Sequence, residues 1–139
     1  MIRVVIDTSV LVSAVISPTG PNARLFNFIV SKEIRPYITD DVLAEYYLVF
    51  EFERLKHLDR RRIAWLRGVL QRASIKVKPP GKLKISEHEE DNRIYECAVA
   101  AKAHYIVTEN TRHFKKPYKM TKIVNARQLL EILGSAGPS

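Results

Sequence analysis

Two periods alternate along this chain. Short apolar runs rich in β-branched residues are separated by longer stretches in which apolar residues recur every three or four positions. The first pattern predicts strands and the second predicts helices. Ile2–Ile6 reads as a buried strand, and residues 35–38, 74–77, 105–107 and 122–124 read as four more. The first helix covers 10–16, and the next is capped by Asn22 with Leu25, Phe26, Ile29 and Val30 on its buried stripe. A third is opened by Thr39, Asp40 and Asp41 and runs to about residue 55. Asp59 opens a fourth through Ile63, Leu66, Val69 and Leu70, Asp91 opens a fifth ending near Ala103, and 126–133 closes the chain. Proline and glycine break it at 17–21 and 79–81. Strands alternate with helical stretches along the chain, which predicts an α/β fold, a parallel sheet with helices on both faces. In such folds the ligand sits beyond the carboxyl ends of the strands.

Composition narrows the picture. The 139 residues suffice for one domain, residues 1–133, followed by a small flexible tail at 134–139. A hydrophobic share of 46% separates the chain from disordered tails. No apolar run approaches the roughly 18–20 residues of a membrane span, and the first apolar stretch is too short for a signal peptide and stops at Asp7. The expected location is therefore the cytoplasm. Cys97, the one cysteine, excludes an internal disulfide and a cysteine-built zinc site. It falls in an apolar helical pattern and reads as core. His57, His88, His104 and His113 show no metal-ligand spacing; His104 reads as structural and His57 as exposed. The net charge of +8 suits a polyanionic partner such as nucleic acid, and equally a merely solvated surface.

The acids carry the chemistry. Asp7 directly follows the first strand, where it can cap a helix or point into the ligand crevice. Glu45 shares a helix face with apolar Val42 and Val49, so its carboxylate needs a partner, a proton or a cation. Asp91 ends the acidic group Glu87, Glu89, Glu90 and Asp91, at the start of a helix whose face is Ile94, Cys97, Ala98 and Ala101. The helix dipole explains part of that group. Thr108, Glu109 and Asn110 follow the fourth strand. Three distant segments thus bring acids to one edge, where hard oxygen ligands suit Mg²⁺ and a phosphodiester could be hydrolysed.

The segment Val-Val-Ile-Asp-Thr-Ser-Val-Leu-Val-Ser-Ala at 4–14 resembles the opening of PIN-domain proteins, and three more motifs agree in order and spacing. These are 38–46, 91–98, and 103–110 with Phe114. The resemblance spans about residues 2–133 and is closest to the branch known as toxin components of toxin–antitoxin pairs. It implies a three-layer α/β/α fold with a central parallel five-stranded sheet. It also implies a ribonuclease that uses Mg²⁺ or Mn²⁺, with Asp7, Glu45 and Asp91 as the metal-binding acids. The family's fourth acid follows a threonine by two residues, a place taken here by Asn110, and Ser9 stands where asparagine is common. The Asn110 departure weakens a possible second metal site, which Glu109 or Glu90 could supply.

On this reading the protein hydrolyses single-stranded RNA. Asn110 orients water or phosphate, Thr8 and Thr108 hydrogen-bond the carboxylates from behind, and Arg112, Lys115 and Lys116 follow the RNA backbone. Tyr46, Tyr47, Phe50, Phe52 and Trp65 build core or a surface for a homodimer, a higher homo-oligomer or an antitoxin protein. Other readings stay open: a PIN-like RNA- or protein-binding domain with weakened catalysis, a response-regulator-like signalling domain, and a purely structural module.

Overall fold

The computed structural model describes residues 1–114 and 117–136, the side chains of the last two excepted. Five strands, β1 (Ile2–Ile6), β2 (Ile34–Ile38), β3 (Ile75–Lys76), β4 (Tyr105–Val107) and β5 (Lys122–Val124), form one sheet in the order β3-β2-β1-β4-β5. Every pairing between them is parallel. Six α-helices connect them: α1 (Thr8–Ile16), α2 (Pro21–Val30), α3 (Asp40–Leu48), α4 (Arg60–Ala73), α5 (Glu89–Ala101) and α6 (Ala126–Ala136). Helices α5 and α3 pack together, with α5 lying across β1, β2 and β4. Helices α1, α2 and α4 pack on one another, and α6 packs on α2. The architecture is the three-layer α/β/α sandwich with a central parallel five-stranded sheet. Among the described residues no helix is long and apolar enough to cross a membrane.

The core follows the patterning. Val4, Val5 and Ile6 of β1 and Ile106 and Val107 of β4 are fully buried, as expected for central strands covered on both faces. The small residues Ala98 and Ala101 let α5 lie close to the sheet, and Cys97 beside them is buried, its thiol pushed up to about 12 by burial. Helix α4 buries its whole expected stripe of Ile63, Leu66, Val69 and Leu70. Asp59 caps it by accepting from the backbone N–H of Arg61 and Arg62.

Five local readings are corrected. Asn22 does not cap α2: Pro21 occupies its first turn, Gly20 is the cap, and Asn22 is buried inside the helix. Val30 lies off the buried stripe and is exposed. Helix α3 ends at Leu48 and gives way to two short 3-10 turns, Val49–Glu51 and Glu53–Leu55. Phe50 and Phe52 cannot share one helix face, and the turn resolves the conflict by burying Phe50 and exposing Phe52. Helix α5 begins at Glu89, so Asp91 lies within its first turn and does not cap it. Helix α6 runs to Ala136, three residues past the expected boundary at residue 133.

Strand order determines where chemistry can sit. From β1 the sheet grows through β2 and β3 on one side and through β4 and β5 on the other. The order therefore reverses between β1 and β4, and their carboxyl ends open the crevice that such sheets use for ligands.

Candidate active site

Asp7 stands at that reversal. Its backbone N–H donates to Val107 O at 2.9 Å, which ties the end of β1 to the end of β4. The residue starts α1, yet its side chain makes no capping bond. The carboxylate is instead held from the side: Asp7 Oδ2 accepts from Ser9 Oγ at 2.6 Å and from Thr108 Oγ1 at 2.8 Å. A hydroxyl has a single proton to give, so both hydroxyls are oriented by what they accept. Glu109 N–H donates to Ser9 Oγ, and Asn110 N–H donates to Thr108 Oγ1. Two backbone amides thus fix two hydroxyls, and the hydroxyls fix Asp7, which is only 7% exposed.

Helix α3 delivers Glu45. Thr39 caps the helix by accepting from Val42 N–H, with Asp40 and Asp41 in its first turn, where acids suit the dipole. Tyr46 reaches back to the end of β1, its hydroxyl donating to Ile6 O at 2.6 Å. Anchored this way, the neighbouring Glu45 shares a small cleft with Asp7, Thr8, Val42, Glu90, Arg93 and Ile94. The cleft measures about 10 Å³, room for one occupant the size of a water or an ion. Burial raises the Glu45 carboxyl above its ordinary range, and Glu90 adds to the shift.

Asp91 has the opposite surroundings to Asp7. It is 6% exposed, and its Oδ2 is buried with no hydrogen-bond partner. Burial first, then the negative charges of Asp7 and Glu90, push its carboxyl up to about 6; His113 and His88 oppose this weakly. Arg93 is close but already engaged, 3.4 Å from Glu89 and 2.7 Å from buried Glu96. Among the described residues no basic side chain forms an ion pair with Asp7, Glu45, Glu90 or Asp91.

The remaining expected residues divide. Thr8 lines the cleft, but no hydrogen bond joins its hydroxyl to a carboxylate; Ser9 makes the contact expected of Thr8. Thr108 makes its contact directly. Asn110 is exposed and does not line the cleft, its backbone serving the turn that follows β4. Arg112 lines a larger cavity of about 300 Å³ beside His88 and His113. Lys115 and Lys116 lie outside the described residues. His57 is exposed, while His104 is structural: its Nδ1 accepts from Arg3 N–H, and burial lowers its pKa.

Sequence reasoning missed the roles of three groups. Ser9 carried a signal, the Asp-x-Ser spacing that lets a hydroxyl fold back on the acid. Asn92 and Glu96 carried none, because they are buried to pin the loop that runs just before their own helix. Asn92 Oδ1 accepts from Ile85 and Ser86 N–H, and Glu96 accepts from Leu83 N–H. His88 and His113, 25 positions apart, meet as stacked rings with centroids 4.7 Å apart.

A model of the PIN domain matches residues 3–112, well over half of the chain. The chain belongs to the PIN-domain family. The matched span holds Asp7, Glu45, Asp91 and the Thr108–Asn110 segment, so the whole acidic crevice falls inside the PIN domain. The chain is similar to the uncharacterized protein MJ1680 of Methanocaldococcus jannaschii, with 29% identity over 104 residues, 73% of this chain and 67% of that protein. It is also similar to a chain in the crystal structure of VapBC2 from Rickettsia felis bound to a DNA fragment from their promoter. That likeness has a TM-score of 0.57 and 16% identity, and it covers 88% of this chain and 98% of the other, a likeness of fold. PIN domains are generally nucleases.

Proposed function

We propose that this PIN domain is a Mg²⁺- or Mn²⁺-dependent endoribonuclease that hydrolyses phosphodiester bonds of single-stranded RNA in the cytoplasm, as the toxin of a toxin–antitoxin pair. The observation that carries the reading is the meeting of buried Asp7, half-buried Glu45 and exposed Glu90 in one cleft near buried Asp91, where among the described residues no base forms an ion pair with them. Asp91 Oδ2, buried and unpartnered, is the sharpest sign, because such a group in a native fold asks for an explanation.

The donors fit a hard divalent cation, for which carboxylate oxygens are the preferred ligands. Among the described residues no three acids or histidines converge into a finished cage. Mg²⁺ sites in general keep several waters and draw on one or two carboxylates. Asp7, Glu45 and Asp91 would hold the ion; Glu90 lines the cleft with Asp7 and Glu45, and Asp91 lies outside its lining. A divalent cation there supplies Lewis acidity that activates water and offsets charge on the scissile phosphate. Asp7 enters with its orientation already fixed by Ser9 and Thr108. Asp91, its carboxyl raised to about 6 by burial and by the charges of Asp7 and Glu90, stands where a bound cation would relieve that cost. Asn110 and Arg112 stand exposed outside the cleft and meet the phosphate backbone as it enters.

The partners follow from exposed apolar groups. Tyr47, Leu48, Phe52 and Trp65 are each 43–53% exposed, a surface suited to a second copy of the chain or to an antitoxin. The likeness to a VapBC2 chain supports the antitoxin. The exposed Asn110, which adds no fourth acid to the cleft, favours a second reading, an RNA- or protein-binding PIN domain with weakened catalysis.

Cleavage of end-labelled single-stranded RNA in Mg²⁺ or Mn²⁺, wild type against folded Asp7→Asn, separates the two. The nuclease reading expects metal-dependent cutting that the substitution abolishes. Silence of the pure wild type with both metals and varied RNAs would leave the binding-domain reading standing.

A further inference from the structure

The cavity of about 300 Å³ next to the acids has features that the hydrolysis itself does not use. We infer that it is a nucleobase subsite: His88 and His113 form a stacking platform for a base of the RNA strand, Ile85 and Tyr95 form the apolar wall, and Arg112 holds the adjoining phosphate. The inference rests on the ribonuclease reading and names how that site grips its substrate.

The platform comes first. The two imidazole rings lie 4.7 Å apart at 24° to each other, and both residues are exposed. Single-stranded RNA is commonly gripped by stacking its bases on such rings and on arginine planes. The wall is rigid. Tyr95 is 1% exposed and packs against the Phe114 and Tyr118 rings. The loop carrying Ile85 and His88 is fastened from beneath by fully buried Asn92, which accepts from Ile85 and Ser86 N–H and donates to Ser86 O. Buried Glu96 holds Leu83 N–H in the same way. A pocket whose wall is already ordered loses little conformational entropy on binding. Arg112 forms no ion pair or hydrogen bond among the described residues, so its charge is available to a phosphate.

Position completes the case. His88 is the N-cap of α5 and Asp91 lies in the first turn of that helix, so the cavity adjoins the proposed cutting site. A strand whose phosphate lies over the acids would place a neighbouring base on the platform. The volume is at the small end of ligand pockets, roughly 300–1,000 Å³. Arg112 alone could hold a bare anion, against the charge of Glu87 on the same lining, whereas the ring faces and Ile85 add contacts that only a base can use.

The test needs no turnover. Nucleoside 5′-monophosphates and, separately, ribose 5-phosphate are titrated into the full chain in EDTA while the four histidine ring signals are followed by NMR. The inference expects the monophosphates to shift His88 and His113, leaving His57 and His104 in place, with little response to ribose 5-phosphate. His113→Ala, at an exposed position, should weaken monophosphate binding on the order of ten-fold. Equal shifts from ribose 5-phosphate, no shifts at all, or unchanged binding by His113→Ala would overturn it. A chain that shows the monophosphate response but cuts no RNA keeps the subsite and loses the ribonuclease; one that cuts RNA without the response does the reverse.

Discussion

Asp7 and Asp91 are equally hidden and oppositely treated. Asp7 accepts two hydroxyl hydrogen bonds, each hydroxyl held in turn by a backbone amide, all within the rigid junction of β1 and β4. Asp91, on the first turn of α5, keeps a buried oxygen without a partner and faces the charges of Asp7 and Glu90. Folding completes the environment of one carboxylate and leaves the other at a cost. An acid hidden for structural reasons alone would be partnered or replaced by an apolar residue, since an unsatisfied buried polar group costs about 1–3 kcal/mol. The contrast describes a site divided between a fixed anchor and a group ready for a cation or a proton.

The comparison breaks most visibly when either acid loses its charge. Asp7→Asn and Asp91→Asn should each lower RNA cleavage by roughly 10²-fold or more, the scale seen when a preorganised charge is removed from a reacting centre; single-turnover rates on labelled RNA measure it. Removing only the anchor's supports should do less. Ser9→Ala with Thr108→Val should reduce cleavage or Mn²⁺ affinity by about 10- to 100-fold, the usual range for partners that orient a metal ligand. Asn110→Ala, outside the cleft, should change the cleavage rate by no more than about two- to three-fold, consistent with a solvent-exposed phosphate contact; a larger loss would move Asn110 into the chemistry.

Stability sharpens the contrast further. The Asp91 carboxyl is raised in the fold to about 6 from an ordinary 3.8. Between those values the folded state holds a proton that the unfolded chain has released, so the stability this group contributes is present at low pH and is lost as pH rises through about 6. Chemical denaturation should therefore show wild type losing on the order of 1 kcal/mol from this group between pH 4.5 and 7.5, a value discounted for solvent screening. Asp91→Asn should lack that loss and be the more stable protein at pH 7.5.

Much of the anchor was legible in the chain, and little of the rest. Strands β1 and β4 were readable to the residue because central strands of a parallel sheet are short, continuous apolar runs, and edge strand β5 from its Ile123-Val124 pair. That pattern alone puts Asp7 and Thr108 at carboxyl ends. Glu45 was legible from its phase with Val42 and Val49. The boundary of α3 was not, because competition between Phe50 and Phe52 for the core is decided by tertiary packing. Asn92 and Glu96 look like ordinary helix-surface residues until the 83–88 loop folds over them. The meeting of His88 and His113 has no local period, since two separate loops bring the rings together.

The most direct measurement is Mn²⁺ binding followed by electron paramagnetic resonance at pH 7.5, comparing wild type with Asp91→Asn. The account predicts that wild type binds Mn²⁺ in competition with Mg²⁺, and that Asp91→Asn, although better folded, binds at least about ten-fold more weakly. Equal affinity in the two proteins, or no binding by wild type, would contradict it.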